Sequence, residues 1–312
     1  SFPAYPQSAF FKVDYLCNSG NLLTYHTEDM NNDGLSDLLV FGRKTGSGGA
    51  IERWLSLFLQ QPDGFSEKAQ QTLKLPHDFI LFDTGNIAGD AKIELVYFAD
   101  GEMRYFALGE TEFDPQPRTL LETESVFMLS DRKTVRRWDF VKDFNGDGRD
   151  DLFVQNFLRA TVFLQKNEPN KWQANKLPLR TESRIYGYFD PLSSHRHKTD
   201  ALYSTPYILL EDFNLDGRKD LLGAYKDSLV VFMLAENGTF SAESRIKIPL
   251  DYGDIWSCAK IQRTHLDDKS EKRYLMRIKD LNNDGLIDIV GTRLSTKESL
   301  INPETEVRIY YG

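Results

Sequence analysis

Cysteine is nearly absent from this 312-residue chain, which has Cys17 and Cys258 and no others. Two residues cannot build a disulfide scaffold or a cysteine-based zinc knuckle, and their spacing does not say whether they pair. Histidine is scarce as well. His26, His77 and His265 stand alone, and only His195 and His197 are close together. Alternate residues of a strand share a face, so that pair could chelate a transition metal. No third ligand falls at a suitable spacing, and an exposed polar loop is expected there. Positive charge is in deficit, with 38 Lys and Arg against 47 Asp and Glu and a net charge of −9. That balance excludes the cationic surface that nonspecific nucleic-acid binding requires. Long apolar runs are missing too: Val230–Ala235 is among the longest, far short of the ~18 residues of a membrane span. The chain opens at Ser1 with no basic-then-apolar leader, so it reads as processed or trimmed. There is no G-x-S-x-G, H-E-x-x-H or Walker loop, and no catalytic or organic-cofactor residue is expected. The glycine-rich TGSGGA at 45–50 does not lead from a strand into a helix, so it reads as a turn.

What is present is one acidic pattern, D-x-N-x-D-G-x-x-D, four times: DMNNDGLSD (29–37), DFNGDGRDD (143–151), DFNLDGRKD (212–220) and DLNNDGLID (280–288). Calcium takes roughly six to eight hard oxygen ligands. Short acidic and amide side chains at positions 1, 3 and 5 of a tight loop can converge on one point. Glycine at position 6 permits the sharp turn. The position-7 carbonyl and the position-9 carboxylate would complete the cage. Three bare carboxylates so close would repel one another, which argues against an ion-free polar turn. A helix–loop–helix calcium site would need Glu at position 12, but Val40, Val154, Gly223 and Gly291 stand there, followed or spanned by strand-length apolar runs. The loops therefore join two strands. Four bound Ca²⁺ would bring the net charge of −9 to about −1.

Alignment on the pattern exposes a fifth, degenerate copy, NIAGDAKIE (86–94), in which Ala88 and Ala91 replace a ligand and the turn glycine; weak calcium binding or none is expected there. The copies start at 29, 86, 143, 212 and 280, and each begins a unit of four strand-like pieces. One piece precedes the loop, one follows it, and two form a hairpin whose return strand opens on Phe65, Phe113, Trp172 or Phe240. Ile51–Leu59 fits a helical period and a strand period, and its place in the repeat decides for strand. Asn237-Gly238-Thr239 matches a glycosylation sequon but stands where a hairpin turn calls for Asn-Gly. The last unit stops at VRIYYG (307–312), one strand short, while SAFFKVDYL (8–16) precedes the first unit and has the character of a fourth strand. Pairing the two would close a ring and remove the exposed edge. The expected fold is an all-β β-propeller, a single domain over 1–312, of five four-stranded blades closed by the N-terminal strand. A fragment of a seven-bladed ring is the alternative.

The units resemble FG-GAP/VCBS-type repeats of integrin alpha-subunit propellers and secreted bacterial proteins. The resemblance covers essentially the whole chain, although the best-known members have seven blades. It implies structural Ca²⁺ in each intact loop, held by Asp29, Asn31, Asp33, Leu35 and Asp37, and by Asp143, Asn145, Asp147, Arg149 and Asp151. The same transfer gives Asp212, Asn214, Asp216, Arg218 and Asp220, then Asp280, Asn282, Asp284, Leu286 and Asp288. Position 7 contributes its backbone carbonyl in each set.

In an up-and-down blade the acidic loops and the short hairpins share one end. The segments at 41–53, 124–137, 180–206, 251–272 and 291–306 would be long connections at the other end, where binding usually resides. They carry Arg184, Tyr186, Tyr188, Phe189, Arg196, Lys198 and Trp256, a basic and aromatic set suited to an acidic or sugar-bearing partner. The reading is a non-catalytic binding, adhesion or scaffold module for a protein or glycan. It is expected outside the cytoplasm, extracellular or periplasmic, where calcium is plentiful. An enzyme acting on polysaccharide or lipid from the same face is the alternative.

Overall fold

The computed structural model describes residues 15–17, 20–46, 48–127, 134–168, 171–189, 197–225, 228–249, 271–295 and 304–312. Every regular element among them is a strand. The chain divides into two compact units, Ser1–Val141 with Asn167–Asn170, and Lys142–Lys166 with Lys171–Gly312.

In the first unit, β1 (Asn21–Glu28), β2 (Asp37–Thr45), β3 (Ile51–Phe58) and β4 (Gln71–Lys74) form one sheet in chain order. β5 (Phe82–Gly85), β6 (Glu94–Phe98), β7 (Glu102–Phe106) and β8 (Arg118–Glu122) form a second. All neighbours are antiparallel. The ambiguous Ile51–Leu59 stretch is a strand because Leu55 and Leu57 pair with Phe41 and Leu39, matching buried residues across the ladder. Aromatic rings join the two sheets: Phe41 lies 4.4 Å from Phe82, Phe79 stacks on Tyr97 at 4.7 Å, and Tyr97 on Phe106 at 5.5 Å. Each such fully buried ring contributes roughly 1.5–3 kcal/mol relative to exposure.

The same meander recurs along the chain. β9 (Val141–Lys142), β10 (Asp151–Gln155), β11 (Ala160–Gln165) and β12 (Trp172–Leu177) form a four-stranded sheet. A two-stranded ribbon follows, β13 (Glu182–Phe189) with β14 (His197–Ser204). β15 (Tyr207–Glu211), β16 (Asp220–Tyr225), β17 (Ser228–Leu234) and β18 (Phe240–Pro249) make another four-stranded sheet. β19 (Glu271–Lys279), β20 (Asp288–Ser295) and β21 (Glu304–Tyr310) make one of three strands. Leu222, Leu229, Val231, Ile278 and Ile289 form a core within the second unit.

Amide side chains tie one repeat to the next by reading backbone. Gln71 on β4 accepts from Phe113 N at 2.9 Å and donates to Phe113 O at 2.8 Å. Asn175 on β12 accepts from Phe240 N at 3.0 Å. Both target the aromatic at which a return strand was expected to open. Trp172 and Phe240 do open β12 and β18, whereas Phe65 and Phe113 precede β4 and β8.

Three connections differ from expectation. The segment 41–53 is mostly strand, with β2 running to Thr45 and β3 starting at Ile51; Gly48 and Gly49, at φ +90° and +80°, make the turn. Likewise β20 and β21 take up residues 291–295 and 304–306 of the segment 291–306. The segment 180–206 is the β13–β14 ribbon rather than a plain inter-blade loop, eight residue pairs in which the connection satisfies its own backbone groups. The Asn237 turn is as read: Oδ1 accepts from Thr239 N and Oγ1, and Gly238 has φ +71°.

Candidate metal loops

Each acidic loop leaves an inner strand and enters the second strand, so its position-9 residue is the first of β2, β6, β10, β16 or β20. Position 1 organises the turn. Asp29 accepts from Asp33 N and Gly34 N at 3.0 and 2.9 Å. Asp143, Asp212 and Asp280 make the same two bonds to the amides of positions 5 and 6. Position 3 braces position 5: Asn31, Asn145, Asn214 and Asn282 each donate to the position-5 carboxylate at 2.8–3.0 Å. The backbone is left-handed at position 6, with Gly34, Gly148, Gly217 and Gly285 at φ +82° to +87°. A Cβ would meet nothing within 4 Å at any of them, so glycine is favoured for conformation, not space. Position 4 is left-handed as well: Asn32, Gly146, Leu215 and Asn283 lie at φ +59° to +74°. The degenerate copy keeps both turns through Gly89 at +76° and Ala91 at +68°.

Position 9 is also held by the fold. Asp37, Asp151, Asp220 and Asp288, expected to close a cage around calcium, are all fully buried, and each accepts backbone amides on both oxygens. Oδ2 takes the amide of position 2: Met30, Phe144, Phe213 or Leu281, at 2.9–3.2 Å. Oδ1 takes an amide at the end of the third strand: Gln60, Gln165, Leu234 or Gly312, at 2.7–3.1 Å. The carboxylate therefore clips loop, second strand and third strand together. Burial pushes Asp151 up to about 7 against the opposing amide bonds, with Asp147 and Asp143 raising it further. Asp37 and Asp220 are raised for the same reasons.

Position 2 is a signal that spacing of the acids alone does not reveal. It is apolar in all five copies, and Met30, Ile87 and Phe144 are buried, while Leu281 is 40% exposed. At position 7, Arg149 and Arg218 do more than offer a carbonyl. Their guanidinium groups pair with Asp147 and, at 2.6 Å, with Asp216, and they reach the carbonyls of Gln165 and Leu234 at 3.4 and 3.3 Å. Leu35 and Leu286 supply no such tie in the other two loops. The Asn214 amide and the Arg218 backbone hold the Asp216 carboxyl below the ordinary range.

The donors are all oxygens of Asp, Asn or backbone, a hard set that suits calcium over softer metals. Positions 1 and 5 lie close enough to position 9 to raise its pKa in three loops, the repulsion a cation would relieve. Among the described residues, however, no three acidic, His or Cys side chains already converge on one point. The loops are closed by their own hydrogen bonds.

The partner-face residues fall together in part. Arg184, Tyr186, Tyr188 and Phe189 lie on β13 and Lys198 on β14, with Tyr188 opposite Lys198 in register. Arg196 and Trp256 lie outside the described residues, as does Cys258; Cys17 is free and exposed. The ribbon starts after β12 and returns to β15, at the end of these sheets opposite the acidic loops. Beside its start, Thr181 bonds Asn156 O and Phe157 O in the β10–β11 turn, where Phe157 and Leu158 are exposed. That apolar turn was not picked out from sequence, although Asn-Phe-Leu-Arg between two strands could have flagged it.

No protein-family model matches the chain, and no curated protein matches it significantly. Among solved structures it is similar to an Agrocybe aegerita lectin described as specifically recognising non-reducing terminal N-acetylglucosamine, with 16% identity and a TM-score of 0.51. That match covers 93% of this chain and 66% of the lectin's. A Photorhabdus luminescens Tc holotoxin pore is matched over 97% of this chain and 12% of its own, at 16% identity and a TM-score of 0.41. The first likeness shows an all-β, propeller-like fold; the second carries no weight.

Two outcomes follow from the loop geometry. Asp151→Asn places an amide N–H₂ against one of two N–H donors and should cost about 2–3 kcal/mol in urea unfolding; an unchanged midpoint would refute the clip. Leu215→Asn and Ala91→Gly relieve left-handed residues and should each stabilise by about 1 kcal/mol in the same assay.

Proposed function

We propose that the chain is a non-catalytic, calcium-stabilised glycan-binding module whose ligand sits on the ribbon end. One observation carries this reading: each acidic loop lies at one end of its own sheet, while the ribbon bearing Arg184, Tyr186, Tyr188 and Lys198, with exposed Phe157 and Leu158 beside its start, rises from the opposite end of the two sheets it connects. Aromatic and basic groups on a rigid β scaffold suit stacking on a sugar ring and bonding to its hydroxyl or acidic substituents. The likeness to a lectin is in keeping with such a role.

Calcium in this reading is structural. It would be held by positions 1, 3 and 5 and the position-7 carbonyl of the loops at 29–37, 143–151, 212–220 and 280–288, with position 9 already engaged in the fold. When bound it would supply charge that the paired carboxylates lack. Loops of this kind fill at roughly 10⁻⁴–10⁻³ M calcium in extracellular modules, which is in keeping with a location outside the cytoplasm. On a glycan array with calcium the chain should bind, and Tyr188→Ala, Lys198→Ala and Phe157→Ala should each weaken binding tenfold or more; an intact, folded chain that binds no glycan rejects the module. Excess chelator should lower the melting temperature by several degrees, and an unchanged melt rejects the metal.

The finer architecture we propose is a closed ring of five blades. The last sheet has three strands, and its outer strand leaves Val307, Ile309 and Tyr311 exposed at alternate positions. Segment 8–16 carries Phe11, Val13 and Tyr15 in the same alternation. With both native cysteines replaced by serine, Val13→Cys or Asp14→Cys combined with Ile309→Cys should cross-link within one molecule on oxidation. Absence of any intramolecular product rejects closure.

A further inference from the structure

The second repeat breaks the carboxylate rule kept by the other four. Its position-9 residue is Glu94, fully buried, whose Oε2 accepts from Ile87 N at 2.9 Å and Ala88 N at 3.1 Å. The extra methylene carries the carboxyl toward the loop, so two consecutive amides share one oxygen. Oε1 is buried and, among the described residues, has no hydrogen-bond partner, the amide of Glu94 itself adding only a minor pull on the carboxyl. By register the matching third-strand residue is Leu108, because Leu95 pairs with Phe106 as Leu38 pairs with Phe58. Leu108 makes no such bond to Glu94.

An ionised carboxylate with one bare oxygen in the interior is costly, and a bound proton removes the charge, which is the larger part of that cost. The charged groups around Glu94 do not offer another solution. Asp90, in the same loop, disfavours a second negative charge. Lys92 sends its ammonium to Gly109 O at 2.6 Å. The tip between β7 and β8 contributes Glu110 and Glu112, and the β5 residue opposite is Gly85. On the adjoining loop, Ile93 N donates to Met30 O, and the charges there are Asp29, Asp33 and Asp37. Burial, with Asp90 adding to it, pushes the Glu94 carboxyl to about 7.

We infer that Glu94 carries a proton in the folded chain, and that this proton stands in for the second backbone amide of the other repeats, making the second repeat a latch that loosens as pH rises toward neutrality. The direction follows from linkage. Below the ordinary glutamate value, folded and unfolded chains are both protonated and the latch costs nothing. Between there and about 7 the unfolded chain ionises first, so stability falls as pH rises, and above about 7 the full penalty stands.

Glu94→Gln mimics the protonated acid, with one acceptor and one donor at the same positions. Melting should be followed from pH 5 to pH 8 at fixed calcium. The unaltered chain should lose several degrees more than Glu94→Gln over that range, and the variant should be the more stable of the two at pH 8. Parallel curves, or a variant less stable at pH 8, would overturn the inference. The ¹⁵N shifts of Ile87 and Ala88 in the unaltered chain give a second readout that needs no variant. A titration midpoint near 7 supports the latch, and a midpoint near the ordinary glutamate value sinks it.

Discussion

A carboxylate with no exposed surface, bonded through each oxygen to a different backbone amide, is the constraint on which each intact repeat depends. Asp37, Asp151, Asp220 and Asp288 each fix three things at once: the entry of the acidic loop, the start of the second strand and the end of the third. No apolar residue could do this, because the loop's position-2 amide and the third-strand amide would otherwise be left unpaired. The rest of the loop follows. Position 1 closes the turn, position 3 steadies position 5, and the two left-handed residues bring the chain back to the sheet.

Much of this was legible in the sequence, for a physical reason. A turn built from side chains of fixed length on left-handed backbone needs particular residues at particular offsets, so Asp, Asn and Gly recur visibly. The meander was legible too, because the register of pieces such as Leu38–Phe41 and Leu55–Phe58 follows from which face is buried. What could not be read was that the position-9 acid is gripped by an amide of a distant strand. Asp29 and Asp37 are the same residue type in the same motif, and only the amide of Gln60, 23 residues on, assigns Asp37 to the fold. The ribbon at 182–204 was equally hidden, since polar residues and glycine interrupt its alternation. Its strands are held by backbone pairing that leaves little trace in residue type.

The two ends of each meander carry different demands. At the loop end, carboxylates crowd together and are balanced by amides, by Arg149 and Arg218 in two repeats, and by Lys92 reaching a carbonyl in a third. Small changes there alter charge balance and strand register together, which leaves little room for variation. At the other end, turns such as 156–159 and the ribbon hang from a frame already fixed. Side chains can change there without disturbing the clips.

The amides of Gln71 and Asn175 grip only main-chain atoms of the following repeat. Any residue except proline at 113 or 240 presents the same N–H, so this bond, unlike the buried rings that also join the first two sheets, is blind to side-chain identity. A bond of that kind holds the two repeats together while the side chain at its far end varies.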